Sequence, residues 1–526
     1  MKKTILRLSK YFSKKGTYIH NNTEILEFNE DFPLKSSEAY FKELSELKKS
    51  FDVNSLKMGT EYVWPYLRNR LWIQLYGLGN GNIKRRDLSH TAIHRGGPKD
   101  LLYKHRKRLI ATYGAVELEN INIGDEPLDF LFVTVINAAE QVVLEDGQIY
   151  HRITDPFYEL AQKVGNAQKV EFLRVKTKSV EKSKNYYHKV LYILSPTIYK
   201  SGFIVKIKFG NLLSQLKKRV PSLAHSGEKL RASIDWEFHT RDFYIDVLRK
   251  LKPKVIFLNG FHFQTPLISA ADYLGIITVD IQHGIQVGWN PLYNDWKEMP
   301  KEGYQGLPNY FWVWGQKEFN SIKKRFKGAK HSPTIVGSPW LDRQLELTTG
   351  LKENYVKKFD KHKVKILLAL QKQPEVPKIY RELIKNSPKD FLWIIRHHPK
   401  GNRFSIHDFG ESNQKNVLID PYMDQITLPH LFQHVNVVIS EGSSVASEAD
   451  YAGVYNFIFS KKGRGNYINE IAKGHFFFIR NYKDFYVKIE TLDMAKKVAR
   501  AKLFEKVNTE EVFRKLLLEY GEKNEK

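Results

Sequence analysis

The sequence predicts an α/β protein built from two Rossmann-like units in tandem, and three observations carry that reading. Short apolar runs alternate with polar, helix-patterned stretches from Leu128 onward. These runs fall into two series of six, separated by a polar linker from Gly350 to Lys363. The chain has 526 residues, 42% of them hydrophobic and 13% aromatic, which is too long for one core and apolar enough for two. Apolar runs without strict alternation are those of strands buried on both faces, and helical stretches between them supply the crossovers of a parallel sheet.

Taken in order, residues 1–125 read as a helical, peripheral N-terminal extension. Trp64, Leu67, Leu71, Trp72 and Leu75 share one helix face, with Pro65 near its start. Gly77-Leu-Gly-Asn-Gly81 has some glycines of a dinucleotide turn but follows a helix pattern and lacks the third spacing, so it reads as a loop. The first domain, 126–345, has strands at Leu128–Ile136, Val170–Val175, Val255–Leu258, Ile276–Ile281, Phe311–Trp314 and Thr334–Val336. The second, 346–500, has them at Ile366–Leu370, Phe391–Ile395, Val417–Ile419, Val435–Ile439, Tyr455–Phe459 and Phe476–Ile479. Residues 501–526 close with a helix capped by Asn508, with Glu511 three residues on, an apolar face of Val512, Phe513, Leu516 and Leu517, and Gly521 as its stop.

Composition narrows the function. No run of 18 apolar residues exists, and Met1–Lys10 lacks an apolar h-region and a cleavage site, so neither membrane spanning nor secretion is expected. The absence of cysteine removes thiolate catalysis, disulfides and zinc–cysteine sites, and fits the cytoplasm. The formal charge of +26 calls for a polyanionic partner. Positions 1–15 carry six Lys/Arg and no acid, and the stretch from Arg174 to Arg219 carries twelve against Glu181 alone, interleaved with aromatics. Such a surface suits an anionic membrane leaflet or an acidic glycan, or is a solvated face beside core strands. Without zinc-finger, RNP or basic-zipper patterns, nucleic acid ranks last.

The chain has no P-loop, no Gly-x-Ser-x-Gly elbow, no His-Glu-x-x-His and no Asp-x-Asp pair to hold a metal on a pyrophosphate. A metal-free nucleotide site, with no cofactor, is therefore expected. Four polar clusters follow apolar strands, where ligands of open α/β sheets collect. In Asp280-Ile-Gln-His-Gly284, His283 is either a base for a hydroxyl proton or a turn-capping imidazole. Arg396-His-His-Pro399 joins guanidinium and imidazole at a strand end, which suits a phosphate, with His398 directed by Pro399; a pair of surface histidines is the bland alternative. Ser440-Glu-Gly-Ser-Ser444 puts Glu441, Gly442, Ser443 and Ser444 at the start of a helix, an anion cradle that simple capping does not account for. Leu370-Gln-Lys-Gln-Pro374 contributes Gln371 from a cleft-facing loop.

The order Gln282-His-Gly284, Val313-Trp-Gly315, Val336-Gly-Ser-Pro339 with Asp342, Arg396-His-His-Pro399 and Glu441-Gly-Ser-Ser444 resembles bacterial surface-polysaccharide glycosyltransferases of GT-B fold. Within that group it is most similar to capsule enzymes that use CMP-activated ulosonic acids of the Kdo, sialic or pseudaminic type. CDP-glycerol glycerophosphotransferases share its His-Gly, His-Pro and Ser-Ser motifs. The resemblance spans residues 128–480. It implies two domains facing a cleft, with a nucleotide-sugar donor held by His398, Pro399, Ser443 and Ser444, and a glycan or glycolipid acceptor on the N-terminal side. It implies His283 as base by analogy with the glycerophosphotransferases, or Glu145 and Asp146 of Glu145-Asp-Gly147 by analogy with sialyltransferases. A capsule-building, metal-independent transferase, peripheral on the inner membrane face, is the expected protein. A CDP-polyol phosphotransferase is the enzymatic alternative, and a basic glycan- or lipid-binding scaffold of capsule assembly the non-enzymatic one.

Overall fold

The structure, a computed structural model, describes residues 44–79, 107–134, 140–173, 186–195 and 227–524, with short stretches and single residues inside these ranges left out. The N-terminal sheet has seven strands, β1 Phe130–Val133, β2 Ala167–Leu173, β3 Val190–Leu194, β4 Val255–Leu258, β5 Ile277–Ile281, β6 Tyr310–Val313 and β7 Ser332–Ile335. The C-terminal sheet has six, β8 Val364–Ala369, β9 Phe391–Arg396, β10 Val417–Ile419, β11 Val437–Ser440, β12 Tyr455–Ile458 and β13 Phe476–Phe478. All their pairings are parallel. The strand orders are β3-β2-β1-β4-β5-β6-β7 and β10-β9-β8-β11-β12-β13. Each sheet therefore has the Rossmann order 3-2-1-4-5-6 in its own count, the first with one strand added. Each has its switch point between its first and fourth strands, where ligands of such sheets bind.

The strands are apolar throughout because both faces are covered. In β1, Phe130 and Phe132 face the layer of Phe157, Trp312 and Phe513, whereas Leu131 and Val133 face that of Tyr244 and Leu248. β8 and β9 divide the same way: Ile366, Leu368, Trp393 and Ile395 lie on one side, and Leu367, Leu392 and Ile394 on the other. The chain then returns to the first domain. Glu505 N–H donates to Trp314 O at 2.9 Å, and the rings of Trp314 and Phe504 stack with centroids 4.7 Å apart. Gly337 is required at that crossing, since its φ is +65° and a Cβ there would overlap the Glu505 carbonyl. The closing helix, Thr509–Asn524, sets Phe513 against Phe130, Phe257 and Trp312.

Five sequence readings need correction. Helix α1, Trp64–Gly79, is not peripheral: Trp64, Leu67 and Leu71 are buried with Phe238, Phe261, Phe311 and Val313. Its first turns are anchored so firmly that Gly77 to Gly79 continue the helix instead of forming a loop, despite a propensity cost of about 1 kcal/mol per glycine. The polar linker holds a helix, Glu353–Asp360, which docks Phe359 beside Leu367 and Leu392. Gly521 does not stop the last helix, which runs on to Asn524 with Asn508 Oδ1 accepting Glu511 N–H at its start. Strand β3 lies inside the basic, aromatic run and was absent from the predicted series. Most of that run and positions 1–15 lie outside the described residues. Among the described residues, no helix is long and apolar enough to cross a membrane.

Candidate functional site

His283 follows β5 on a loop pinned by its neighbour. Gln282 Oε1 accepts Trp314 N–H at 2.8 Å and its Nε2 donates to Gly284 O at 2.9 Å, which fixes the backbone on both sides of the imidazole. His283 is half-buried, and its Nδ1 is buried without a hydrogen-bond partner. Burial pulls its pKa below the ordinary imidazole value; Glu140 opposes this, and Arg152 and His151 add to it. A neutral imidazole at pH 7 is the form that can accept a proton.

Glu140, His151 and Arg152 carry no motif and were not legible in the sequence. They meet because an antiparallel hairpin pairs Gln141–Val143 with Ile149–His151 in the register Gln141 to His151. Arg152 N–H then donates to Glu140 O at 2.9 Å. Glu140 Oε2 accepts from Asn259 Nδ2 at 2.7 Å and lies 3.3 Å from His151 Nε2. Thr154 N–H donates to His151 Nδ1 at 3.3 Å, leaving Nε2 as the protonated nitrogen that faces Glu140. The hairpin base is held from below by the buried Lys169–Asp155 pair, whose carboxylate also accepts His151 N–H at 2.8 Å. The hairpin tip points elsewhere: Asp146 is exposed and its Oδ1 accepts Gln148 N–H at 2.9 Å. Glu145 lies outside the described residues.

On the other side, Gln371 Nε2 donates to Ser443 Oγ at 3.3 Å, joining the ends of β8 and β11 at the second switch point. His398 adjoins them, because a Cβ on Gly401 would lie 3.0 Å from Gln371 O and 3.3 Å from His398 Cβ. Pro399 beside it is exposed. Ser443 is the N-cap of helix Ser444–Tyr451, yet its hydroxyl makes no capping bond. Gly442 has φ +90° and packs so closely on Gly463 that a Cβ would overlap its Cα. Glu441 is buried with Oε1 unpartnered, and burial raises its carboxyl to about 7 against the opposing charge of Lys462.

Two members of the His-His cluster do structural work. Arg396 Nη1 donates to the carbonyls of Met423 and Ile426, so it clamps the turn after β10, while burial lowers its pKa to about 10 and leaves it charged. His397 is buried: its Nε2 accepts Phe404 N–H at 3.0 Å and its Nδ1 is 2.9 Å from Asp424 Oδ2. His398 alone of the pair stands toward the Gln371–Ser443 edge.

The two sides meet. Arg152 Nη1 is 3.7 Å from Glu448 Oε1, and Glu448 bonds Ser444 within the cradle helix. Burial raises Glu448's carboxyl, against the lowering effects of Arg152 and Ser444. Ile285 and Ala446 share one apolar cluster with Trp314, Leu341 and Tyr467. Two Rossmann-ordered domains whose strand-end clusters oppose each other in this way form a GT-B architecture.

No protein-family model matches the chain, and no curated protein matches its sequence. Among solved structures, UDP-GlcNAc 2-epimerase from Neisseria meningitidis bound to UDP-GlcNAc is similar over 74% of this chain and 99% of that chain, at 16% identity and a TM-score of 0.41. The S. aureus MnaA-UDP co-structure is similar over 76% and 97%, at 11% identity and 0.45. Arabidopsis thaliana UGT89C1 complexed with UDP is similar over 75% and 100%, at 12% identity and 0.42.

The buried titratable groups set a stability profile. Burial holds His262 and His331 at about 3, so they stay neutral when folded while unfolded imidazoles take protons near pH ~6.5. Their contribution is present above that pH and is lost as pH falls. Burial raises Asp280, Glu318 and Glu441 to about 7, so the folded chain keeps protons that the unfolded chain releases near pH ~4. That contribution is lost as pH rises through about 7. Melting temperature is expected to peak between pH ~4 and ~6.5 and to decline from ~6.5 to ~8; thermal scans that rise steadily across this last interval would contradict the assignment.

Proposed function

We propose that the protein is a metal-independent glycosyltransferase that moves a sugar, and more finely an ulosonic acid, from a CMP-activated donor to a hydroxyl of a surface-polysaccharide or glycolipid acceptor. The observation that supports this reading best is the Arg152–Glu448 contact. It ties the His283–Glu140–His151 cluster of one domain to the Ser443–Ser444 cradle of the other. In this reading the donor phosphate lies at the start of helix Ser444–Tyr451, against free backbone N–H groups and the Ser443 hydroxyl, with Gln371 and His398 at its edge. The acceptor oxygen attacks the anomeric carbon, its proton passes to His283, and the electron pair of the broken C–O bond leaves on the phosphate. Arg152 and Arg396 supply the positive field that a metal ion would otherwise provide. The excess of 84 basic over 58 acidic side chains supports a peripheral association with an anionic inner membrane face.

Calorimetric titration of CMP, CDP, UDP and GDP tests the donor site. His398→Ala and Ser444→Ala are each expected to weaken CMP binding by about 0.5–3 kcal/mol, with EDTA having no effect. The double variant should lose less than the sum, since both groups serve one ligand. EDTA-sensitive binding of UDP or GDP that ignores both substitutions would overturn the reading. Radiolabelled CMP-sugars and CDP-polyols, scored for free CMP, separate sugar transfer from polyol-phosphate transfer and from a scaffold without turnover.

A further inference from the structure

The segment between β4 and helix α2, Thr265–Tyr273, is a short arch whose two feet are fixed. Phe261 is fully buried, with its ring edge-on to Tyr293 and Phe311 at 5.3 and 5.8 Å. Its N–H donates to Asp280 Oδ1 at 3.1 Å, and Asp280 Oδ2 accepts Tyr293 O–H at 2.9 Å. Phe263 N–H to Gly260 O at 3.0 Å and Gln264 N–H to Phe261 O at 2.9 Å close the turn. With its backbone so held, the arch still leaves Phe263 60% exposed. Phe263 packs on His262 with ring centroids 3.8 Å apart, and the rest of its ring, on this rigid mount, is the surface left for a partner.

Its neighbours identify that partner. A methyl group built on Gly260 would lie 3.5 Å from His262 Cε1, 3.5 Å from Phe263 Cδ2 and 3.7 Å from His283 Cε1, so three rings converge on one point at the first sheet's switch point. Nδ1 of His262 and Nδ1 of His283 are both buried without hydrogen-bond partners. The convergent groups are thus one aromatic face and the half-buried imidazoles of His262 and His283, whose rings can exchange hydrogen bonds with hydroxyls. We infer that the Gly260–Phe263 arch is an acceptor subsite that takes a pyranose ring, its C–H face on Phe263 and its hydroxyls toward His262 and His283. This rests on His283 as the base of the proposed transfer. A phosphate-bearing acceptor is the competing chemistry, since the Arg152 charge acts on His283.

Saturation-transfer NMR on the full chain tests the subsite without donor. The probes are methyl β-galactopyranoside, methyl α-glucopyranoside and methyl N-acetyl-β-glucosaminide, with glycerol 3-phosphate as the competing chemistry. Ring C–H protons of at least one pyranoside are expected to saturate in the wild type. Affinity for it should fall about tenfold in Phe263→Ala and recover in Phe263→Trp. Preferential binding of glycerol 3-phosphate, equal pyranoside binding by Phe263→Ala, or no pyranoside binding at all would overturn the inference. Calorimetry with CMP on the same samples reports separately on the donor reading. Loss of CMP binding with Phe263-dependent pyranoside binding intact removes the transferase proposal and leaves the sugar subsite standing.

Discussion

Replacing His283 with alanine is expected to lower transfer about 10²–10⁴-fold, the usual worth of a positioned general base, while CMP affinity and melting temperature stay near wild type. The side chain is half-buried at the end of a loop whose fold is secured by Gln282, so its removal disturbs little else. Because burial holds the imidazole below its ordinary pKa, the acid limb of the pH–rate profile should lie below that of a free histidine. Glu140 acts to raise that pKa, so Glu140→Gln should move the limb further toward acid. A wild-type rate in His283→Ala, together with its loss in Glu145→Gln or Asp146→Asn, would transfer the role to the hairpin tip.

Asp155→Ala should be the most destabilising single change near the site, by about 3–5 kcal/mol in denaturant titrations. Asp155 and Lys169 are both almost wholly inaccessible, and burial already pulls the Lys169 pKa down despite its partner. Deleting the carboxylate leaves the buried ammonium with only the attraction of Glu171 and Glu159 and frees His151 N–H, so Glu140 and Arg152 would lose their mount as well. Asp155→Ala with Lys169→Met should recover most of the loss, since an apolar side chain of similar length needs no counter-charge. A single-variant cost below ~1 kcal/mol would show that the pair is solvated.

The two-sheet fold could be read from the chain because doubly buried strands leave apolar runs that need no partner to be seen. β3 escaped because Val190–Leu194 is short and set among lysines and tyrosines, a pattern equally suited to an exposed face. The four strand-end clusters were legible as loops, but their division of labour was not. His397 and His398 are adjacent and chemically identical in sequence, and the hydrogen bonds to Asp424 and Phe404 decide which is structural. Glu140, His151 and Arg152 could not be found at all, since their proximity arises from hairpin register and not from spacing along a motif. Gly77 and Gly521 misled because propensity is a weak force beside the packing of Leu71 or Phe513.

The crossing of residues 503–505 over Gly315 and Gly337, followed by Phe513 against Phe130, Phe257 and Trp312, ties a segment beyond the second sheet into the core of the first. Part of one face of the first sheet is covered only by residues that follow the second sheet in the chain, Phe513 and Leu516 beside Phe157 and Ala161. Order in sequence and order in space therefore part company along this chain: the N-terminal sheet is completed on one face by a helix that follows the whole C-terminal sheet.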